Sequence, residues 1–331
     1  MSHQSLELLS PDPALEESLA VGLAQVEHEL RESVRSSSPF INEAAGYLVD
    51  AGGKRFRPLL VLLAAQFGDP TRPEVIRSAV SVELTHLATL YHDDVMDEAP
   101  LRRGATSANA RWGNSVAILT GDFLFARTSA ILADLGPEAV RIQAQTFERL
   151  CIGQILETVG PEDGADPVKH HLEVLADKTG SLIAASGRYG ALMSGADPET
   201  IEVLARFGEC IGVAFQLADD LVDIVSDTSQ SGKTPGTDLR EGVPTLAALI
   251  ALSGSSPADA RLRDLLSRPL SDDAEHAEAL TLLRGHSALA EARDEARRWS
   301  SDARNVLESL PQGGARQTLE LLCDYVVSRT G

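Results

Sequence analysis

Leu90-Tyr91-His92-Asp93-Asp94-Val95-Met96-Asp97 and Phe215-Gln216-Leu217-Ala218-Asp219-Asp220-Leu221-Val222-Asp223-Ile224 each set three aspartates, in the spacing DDxxD, among apolar residues. At 3.6 residues per turn, positions i and i+4 lie about 40° apart on a helix. Asp93 and Asp97 therefore share a face, as do Asp219 and Asp223. Gln216, four residues before Asp220, joins the second face, and His86, seven residues before Asp93, joins the first. Like charges one turn apart destabilise a helix by about 0.2–0.5 kcal/mol. Carboxylates among apolar neighbours cost more unless a cation neutralises them. A single cluster could be a solvated acidic face; two of identical spacing, 126 residues apart, point to a shared task. Oxygen-only ligands favour a hard cation, Mg2+ foremost, which binds through one or two carboxylates and completes its shell with water and phosphate oxygens. Two such clusters facing each other are expected to hold a diphosphate through several Mg2+ ions.

Outward from these stretches, the 331 residues are rich in Ala, Leu, Glu and Arg, with few β-branched runs. The pattern predicts helices over about 12–34, 39–51, 55–67, 73–98, 115–134, 137–158, 167–177, 180–194, 198–227, 243–253, 257–267, 273–283, 286–309 and 314–329, punctuated by Gly and Pro. No repeat and no long linker interrupts them. The expected fold is one all-α domain over 1–331, with 1–11 as a flexible tail and the polar stretch 228–242 as a functional lid. Twenty-nine basic residues against 49 acidic give a net charge of −20, which argues against nucleic-acid binding and against adhesion to an anionic membrane. Cys151, Cys210 and Cys323 form no CxxC pair. No signal-peptide pattern opens the chain, and Leu59 to Ala65 is too short to span a bilayer, so a soluble cytoplasmic protein is expected.

A protein this acidic must gather cations locally to hold a diphosphate. Gly52-Gly53-Lys54-Arg55-Phe56-Arg57-Pro58 places three cations after a glycine pair and before a helix, where the backbone can approach phosphate closely. Arg102-Arg103-Gly104 follows the first acidic stretch, Lys178-Thr179-Gly180 opens another helix, and Lys233 lies in the polar loop. Arginine offers a bidentate fork to phosphate, whereas lysine is a point charge. The Walker spacing is absent, which disfavours ATP chemistry. No nucleophilic serine with a His partner is recognisable. His92-Asp93 raises a metal-dependent phosphohydrolase, but His86, His170, His171, His276 and His286 fall in no ligand motif.

From about residue 40 to the C-terminus the chain resembles the trans-isoprenyl diphosphate synthases, or polyprenyl synthetases. The resemblance rests on GGKRFRP at 52–58, ELTHLATLYHDDVMDEAPLRRG at 83–104, GNSVAILTGDFLFAR at 113–127, KTGSL at 178–182, FQLADDLVDI at 215–224 and GKTPGTDLREG at 232–242. It implies a bundle of long antiparallel helices around a central cavity, in a homodimer. It also implies that Asp93, Asp94, Asp97, Asp219, Asp220 and Asp223 hold Mg2+, three ions per substrate-bound site, on an allylic diphosphate. Arg102, Lys178 and Lys233, helped by Gln216 and Thr179, would contact that diphosphate. Lys54, Arg57, His86 and Arg103 would form an isopentenyl diphosphate site. One departure stands out: Glu241-Gly242-Val243 replaces the EGK of many relatives, removing a cation.

The implied reaction is ionisation of the allylic C–O bond, attack by the isopentenyl double bond and loss of a proton. Residues four and five before Asp93 lie about one turn deeper along a product tunnel. They are Thr89 and Ala88, both small, with Phe123, Leu124, Phe125, Ser129 and Leu132 as a deeper floor. A medium-to-long all-trans product, hexaprenyl to decaprenyl, is therefore expected, with a geranylgeranyl or farnesyl product as the alternative. A non-catalytic subunit would be expected to lose an aspartate cluster, and a terpene cyclase has no use for an isopentenyl diphosphate site.

Overall fold

The structure, a computed structural model, describes residues 12–226 and 235–329. The expected tail 1–11 and residues 228–234 of the expected lid, Lys233 among them, lie outside the described residues. The chain forms helices α1 (Pro13–Ser33), α2 (Pro39–Asp50), α3 (Phe56–Ala64), α4 (Pro73–Met96), α5 (Ala108–Trp112), α6 (Asn114–Leu135), α7 (Pro137–Val159), α8 (Pro167–Leu175), α9 (Ser181–Ser194) and α10 (Pro198–Val225). After the undescribed stretch come α11 (Thr237–Glu241), α12 (Leu246–Ser253), α13 (Ala260–Leu266), α14 (Asp273–Arg284), α15 (Ser287–Val306) and α16 (Gly314–Ser328). The strands among the described residues are β1 (Leu101–Arg102) and β2 (Ala105–Thr106), paired antiparallel. The all-α expectation holds.

Proline starts α1, α2, α4, α7, α8 and α10, where its missing N–H costs nothing and its fixed φ suits the first turn. The Asp12, Asp166 and Asp272 carboxylates accept backbone N–H bonds that α1, α8 and α14 would otherwise leave unmade. The structure differs from the sequence reading in short pieces. Thr237–Glu241, expected as loop, is helical; Ala108–Trp112 adds a turn of helix; and a five-residue π turn, Ala176–Gly180, joins α8 to α9.

The described residues gather into two compact units. The first holds 12–147, 182–205 and 309–319, and the second 148–181, 206–308 and 320–329. In the first unit α4 is central, packing against α6, α3 and α1. Val80, Leu84, Leu87 and Tyr91 on α4 are fully buried, as are Leu60, Leu63 and Leu124, each such side chain contributing about 1.5–3 kcal/mol. The buried Tyr91 hydroxyl donates to Ala44 O at 2.5 Å, fixing α4 to α2. In the second unit Leu217, Leu221 and Ile224 of α10 join Leu246, Leu265, Leu283 and Leu289 in one core. Helix α6 is long and apolar enough to cross a membrane by length and composition alone, with one third of its most apolar stretch buried within the protein.

Candidate active site

The first acidic stretch ends α4. Asp94 is fully buried and accepts from Arg102 Nε at 2.5 Å, while Arg102 Nη2 lies 3.9 Å from Asp97 Oδ2. The other Asp94 oxygen, Oδ2, is buried without a hydrogen-bond partner. Asp93 is half-buried, and Asp97, the first residue past the helix, is exposed. Arg102, expected on the substrate, is held here by the aspartates themselves.

Arg102 and Arg103 belong to the β1–β2 hairpin, whose two-residue turn is Arg103-Gly104. Both turn residues have positive φ, 54° and 79°, as the hairpin-compatible turn requires. Arg103 Nη1 donates to Leu48 O at 3.0 Å and to Gly52 O, and its guanidinium lies against Gly53. Arg57 lies near it: burial and then the Arg103 charge make the Arg57 charge harder to hold, burial and then the Arg55 and Arg102 charges do the same to Arg103, and the buried Glu83 opposes both shifts. Arg57 Nε is buried without a partner. Between these groups sits His86. Burial, and then the charges of Arg57, Arg103, Arg55 and Arg102, hold its ring well below the usual histidine range, so it is neutral at pH 7. Lys54 is exposed at the mouth of the same turn. Three of the four residues expected for isopentenyl diphosphate are thus brought within each other's field, with donors left for an anion.

The second acidic stretch lies on α10 in the second unit. Gln216 Nε2 donates to Asp220 Oδ1 at 2.9 Å, and Thr179 Oγ1 donates to Gln216 Oε1 at 3.4 Å. Burial, reinforced by Asp219, Asp223 and Glu157, pushes the Asp220 carboxyl up to about 7 against its bond from Gln216. Asp219 pairs with Arg329 at 2.8 Å, and Asp223 Oδ2 accepts from Asp238 N at 3.2 Å. Lys178 and Thr179 sit in the π turn, an irregularity that recurs at functional sites. Lys178 Nζ is paired with Glu157. Gly153 of α7 makes this possible: a methyl there would lie 2.6 Å from Lys178 N.

Among the described residues no three His, Cys, Asp or Glu side chains gather closely enough to hold a metal ion unaided. The donors nevertheless fit a hard cation that keeps water and substrate oxygens in its shell. Asp94 has an idle buried oxygen, and Asp220 resists ionisation for want of a counter-charge.

Of the chain-length candidates, Ala88 is fully buried, with its carbonyl 3.1 Å from where a Gly121 methyl would sit. Its surroundings are therefore the tight contact of α4 with α6. Thr89 is half-buried and donates to His86 O at 2.8 Å. Phe125 packs on His92 and, at 4.5 Å between ring centroids, on Phe147, while Phe123 lies under Arg127. The sequence reading missed Glu83, Glu157 and Arg329. Glu83 could have been found three residues before His86 on the same helix; Arg329 carries no sequence signal.

Residues 38–283 match the family model described as polyprenyl synthetase. The chain is 50% identical over 321 residues to nonaprenyl diphosphate synthase of Mycobacterium tuberculosis, covering 97% of this chain and 96% of the relative. It superposes on a crystal structure of geranylgeranyl pyrophosphate synthase from Corynebacterium glutamicum complexed with calcium and isoprenyl diphosphate. The TM-score there is 0.89 at 45% identity, over 97% of this chain and 99% of that one. A decaprenyl diphosphate synthase from Rhodobacter capsulatus gives a TM-score of 0.88 at 34% identity, over 96% and 99%. With both acidic stretches and the arginine–histidine pocket in place, the chain belongs to the polyprenyl synthetase family.

Proposed function

We propose that the protein is a chain-elongating all-trans prenyltransferase that condenses isopentenyl diphosphate with an allylic diphosphate to a medium- or long-chain polyprenyl diphosphate. The observation that carries this is the neutral His86 set among Arg57 and Arg103, with Arg57 Nε idle. Such a pocket suits a diphosphate that must be held intact while its double bond reacts. Asp93, Asp94, Asp97, Asp219, Asp220 and Asp223 bind Mg2+, which when bound neutralises charge on the departing diphosphate. As the family resemblance implies, Arg102, Lys178 and Lys233 would contact the allylic diphosphate, helped by Thr179 and Gln216. Lys54, Arg57, Arg103 and His86 hold isopentenyl diphosphate. The allylic C–O bond breaks with its electron pair going to the diphosphate. The isopentenyl double bond then forms the new C–C bond, and the proton lost from the resulting cation goes to the released diphosphate. The apolar residues beside each aspartate exclude water that would quench the cation.

Small Thr89 supports a long product. Exposed Ile118 and Leu119 on α6, with Phe40 and Ile41 on α2, support a homodimer, since such a face is costly in water. The charge of −20 supports a protein that binds neither nucleic acid nor an anionic membrane surface, and three scattered cysteines without a CxxC pair support a reducing, cytoplasmic setting. The test is incubation of purified protein with isopentenyl diphosphate, farnesyl diphosphate and Mg2+, followed by chromatography of the dephosphorylated products. A hexaprenyl-to-decaprenyl product is expected. A product stopping at geranylgeranyl would make this a shorter-chain synthase. No product alone but activation of a second protein would make it a subunit, and a cyclic hydrocarbon formed without isopentenyl diphosphate would make it a cyclase.

A further inference from the structure

We propose that Arg55 is a positioning residue for the isopentenyl diphosphate site: clamped by Glu27 and Glu83, it fixes the turn that delivers Lys54 and Arg57 and ties that turn to the helix carrying His86. The inference rests on the function proposed above. Arg55 immediately precedes α3 and has φ 48°, the left-handed region that a non-glycine residue occupies only when its surroundings hold it there. What holds it is its own side chain, 10% exposed. Nε and Nη2 donate to the two oxygens of Glu27 at 2.8 and 3.2 Å, Nη1 donates to Glu83 Oε1 at 2.8 Å, and Nη2 also donates to Val49 O at 2.9 Å. Glu27 is steadied in turn by Arg31 at 2.7 Å.

This arrangement separates Arg55 from its neighbours. Its donors are committed to protein groups, so it has little to offer a diphosphate, whereas the buried Arg57 Nε two residues on has no partner. Glu83, 2% exposed, lies one helical turn before His86 on α4. The Arg55–Glu83 bond therefore sets the distance between the GGKRFRP turn and His86. A bidentate arginine imposes direction as well as charge, which a lysine cannot.

The test compares full-length wild type with Arg55→Lys and Arg55→Gly. The readouts are KM for isopentenyl diphosphate, KM for farnesyl diphosphate, melting temperature, and direct isopentenyl diphosphate binding by calorimetry. Both variants are expected to weaken isopentenyl diphosphate by about 10- to 100-fold, the penalty of a displaced positioning group. KM for farnesyl diphosphate should stay within about twofold. Arg55→Gly relieves the left-handed backbone, so a defect there reports the lost clamp. Unchanged isopentenyl diphosphate affinity in either folded variant, or equal loss for both substrates, overturns the proposal. If neither variant folds, Glu27→Gln must show the same selectivity at smaller size, and a null or equal effect overturns the proposal. Wild type that binds isopentenyl diphosphate without condensing it would defeat the function above while leaving the binding comparison to judge Arg55. Wild type that does not bind it would defeat both.

Discussion

Gly153→Ala adds one methyl group at the point where α7 meets the π turn. That methyl would sit 2.6 Å from Lys178 N and 3.1 Å from Asp177 C, both backbone atoms that cannot swing aside. Ordinary contact begins near 3.4 Å, so the two segments must part by about 0.8 Å. Overpacking of this kind costs about 1–3 kcal/mol, which lowers the melting temperature by roughly 1–4 °C for a chain of this size. The displaced segment carries Lys178 and Thr179, and Glu157, the partner of Lys178, lies one turn along α7. A shift approaching 1 Å in a positioning group costs on the order of 100-fold in rate. The expectation is a 10- to 100-fold loss in kcat/KM for the allylic diphosphate, with KM for isopentenyl diphosphate nearly unchanged. Differential scanning calorimetry and steady-state kinetics in each substrate measure both effects. Wild-type melting together with wild-type allylic kinetics would refute the reasoning, since the methyl would then have found room that the geometry denies it.

Asp93→Ala and Asp219→Ala should each lower turnover by about 100- to 1,000-fold, the range for losing one electrostatic group at a reaction centre, with the circular dichroism spectrum unchanged. Near-normal rates would remove them from the chemistry. Because His86 stays unprotonated when native, the unfolded chain binds more protons below pH 6.5. Stability should therefore fall as pH drops through that window, by up to about 1.4 kcal/mol per unit from this group. Urea midpoints at pH 5.5 and 7.5 should differ less in His86→Gln than in wild type. Thr89→Phe should shorten the product, read by chromatography, whereas Ala88→Phe should lower the melting temperature by overfilling the α4–α6 contact. Val243→Lys restores a cation near α11 and should lower KM for the allylic diphosphate a fewfold.

Most helix limits were legible because proline, aspartate and glycine mark them chemically. Pro73 and Pro137 open their helices where the sequence reading put them, and Gly136 ends α6. Ala108–Trp112 and Thr237–Glu241 were not legible: five residues are too few for a helical period to emerge. The two aspartate stretches and GGKRFRP could be read because their spacing is local. The partners of Asp94 and Asp219 could not, since Arg102 arrives by a hairpin and Arg329 from the residue just past the last helix. Arg55 looked like one cation among three until its backbone angle and its two carboxylates set it apart. Ala88 and Thr89 are adjacent and both small, yet only packing shows that one is sealed and the other half open.

The β1–β2 hairpin gives neighbouring residues different anchors: Arg102 on Asp94, Arg103 on the carbonyls of Leu48 and Gly52. Consecutive α-carbons are about 3.8 Å apart and cannot stretch. A displacement of the hairpin backbone at Arg102 therefore carries the α-carbon of Arg103 with it. The peptide link between them ties the backbone beside the first acidic stretch to the backbone beside the glycine pair.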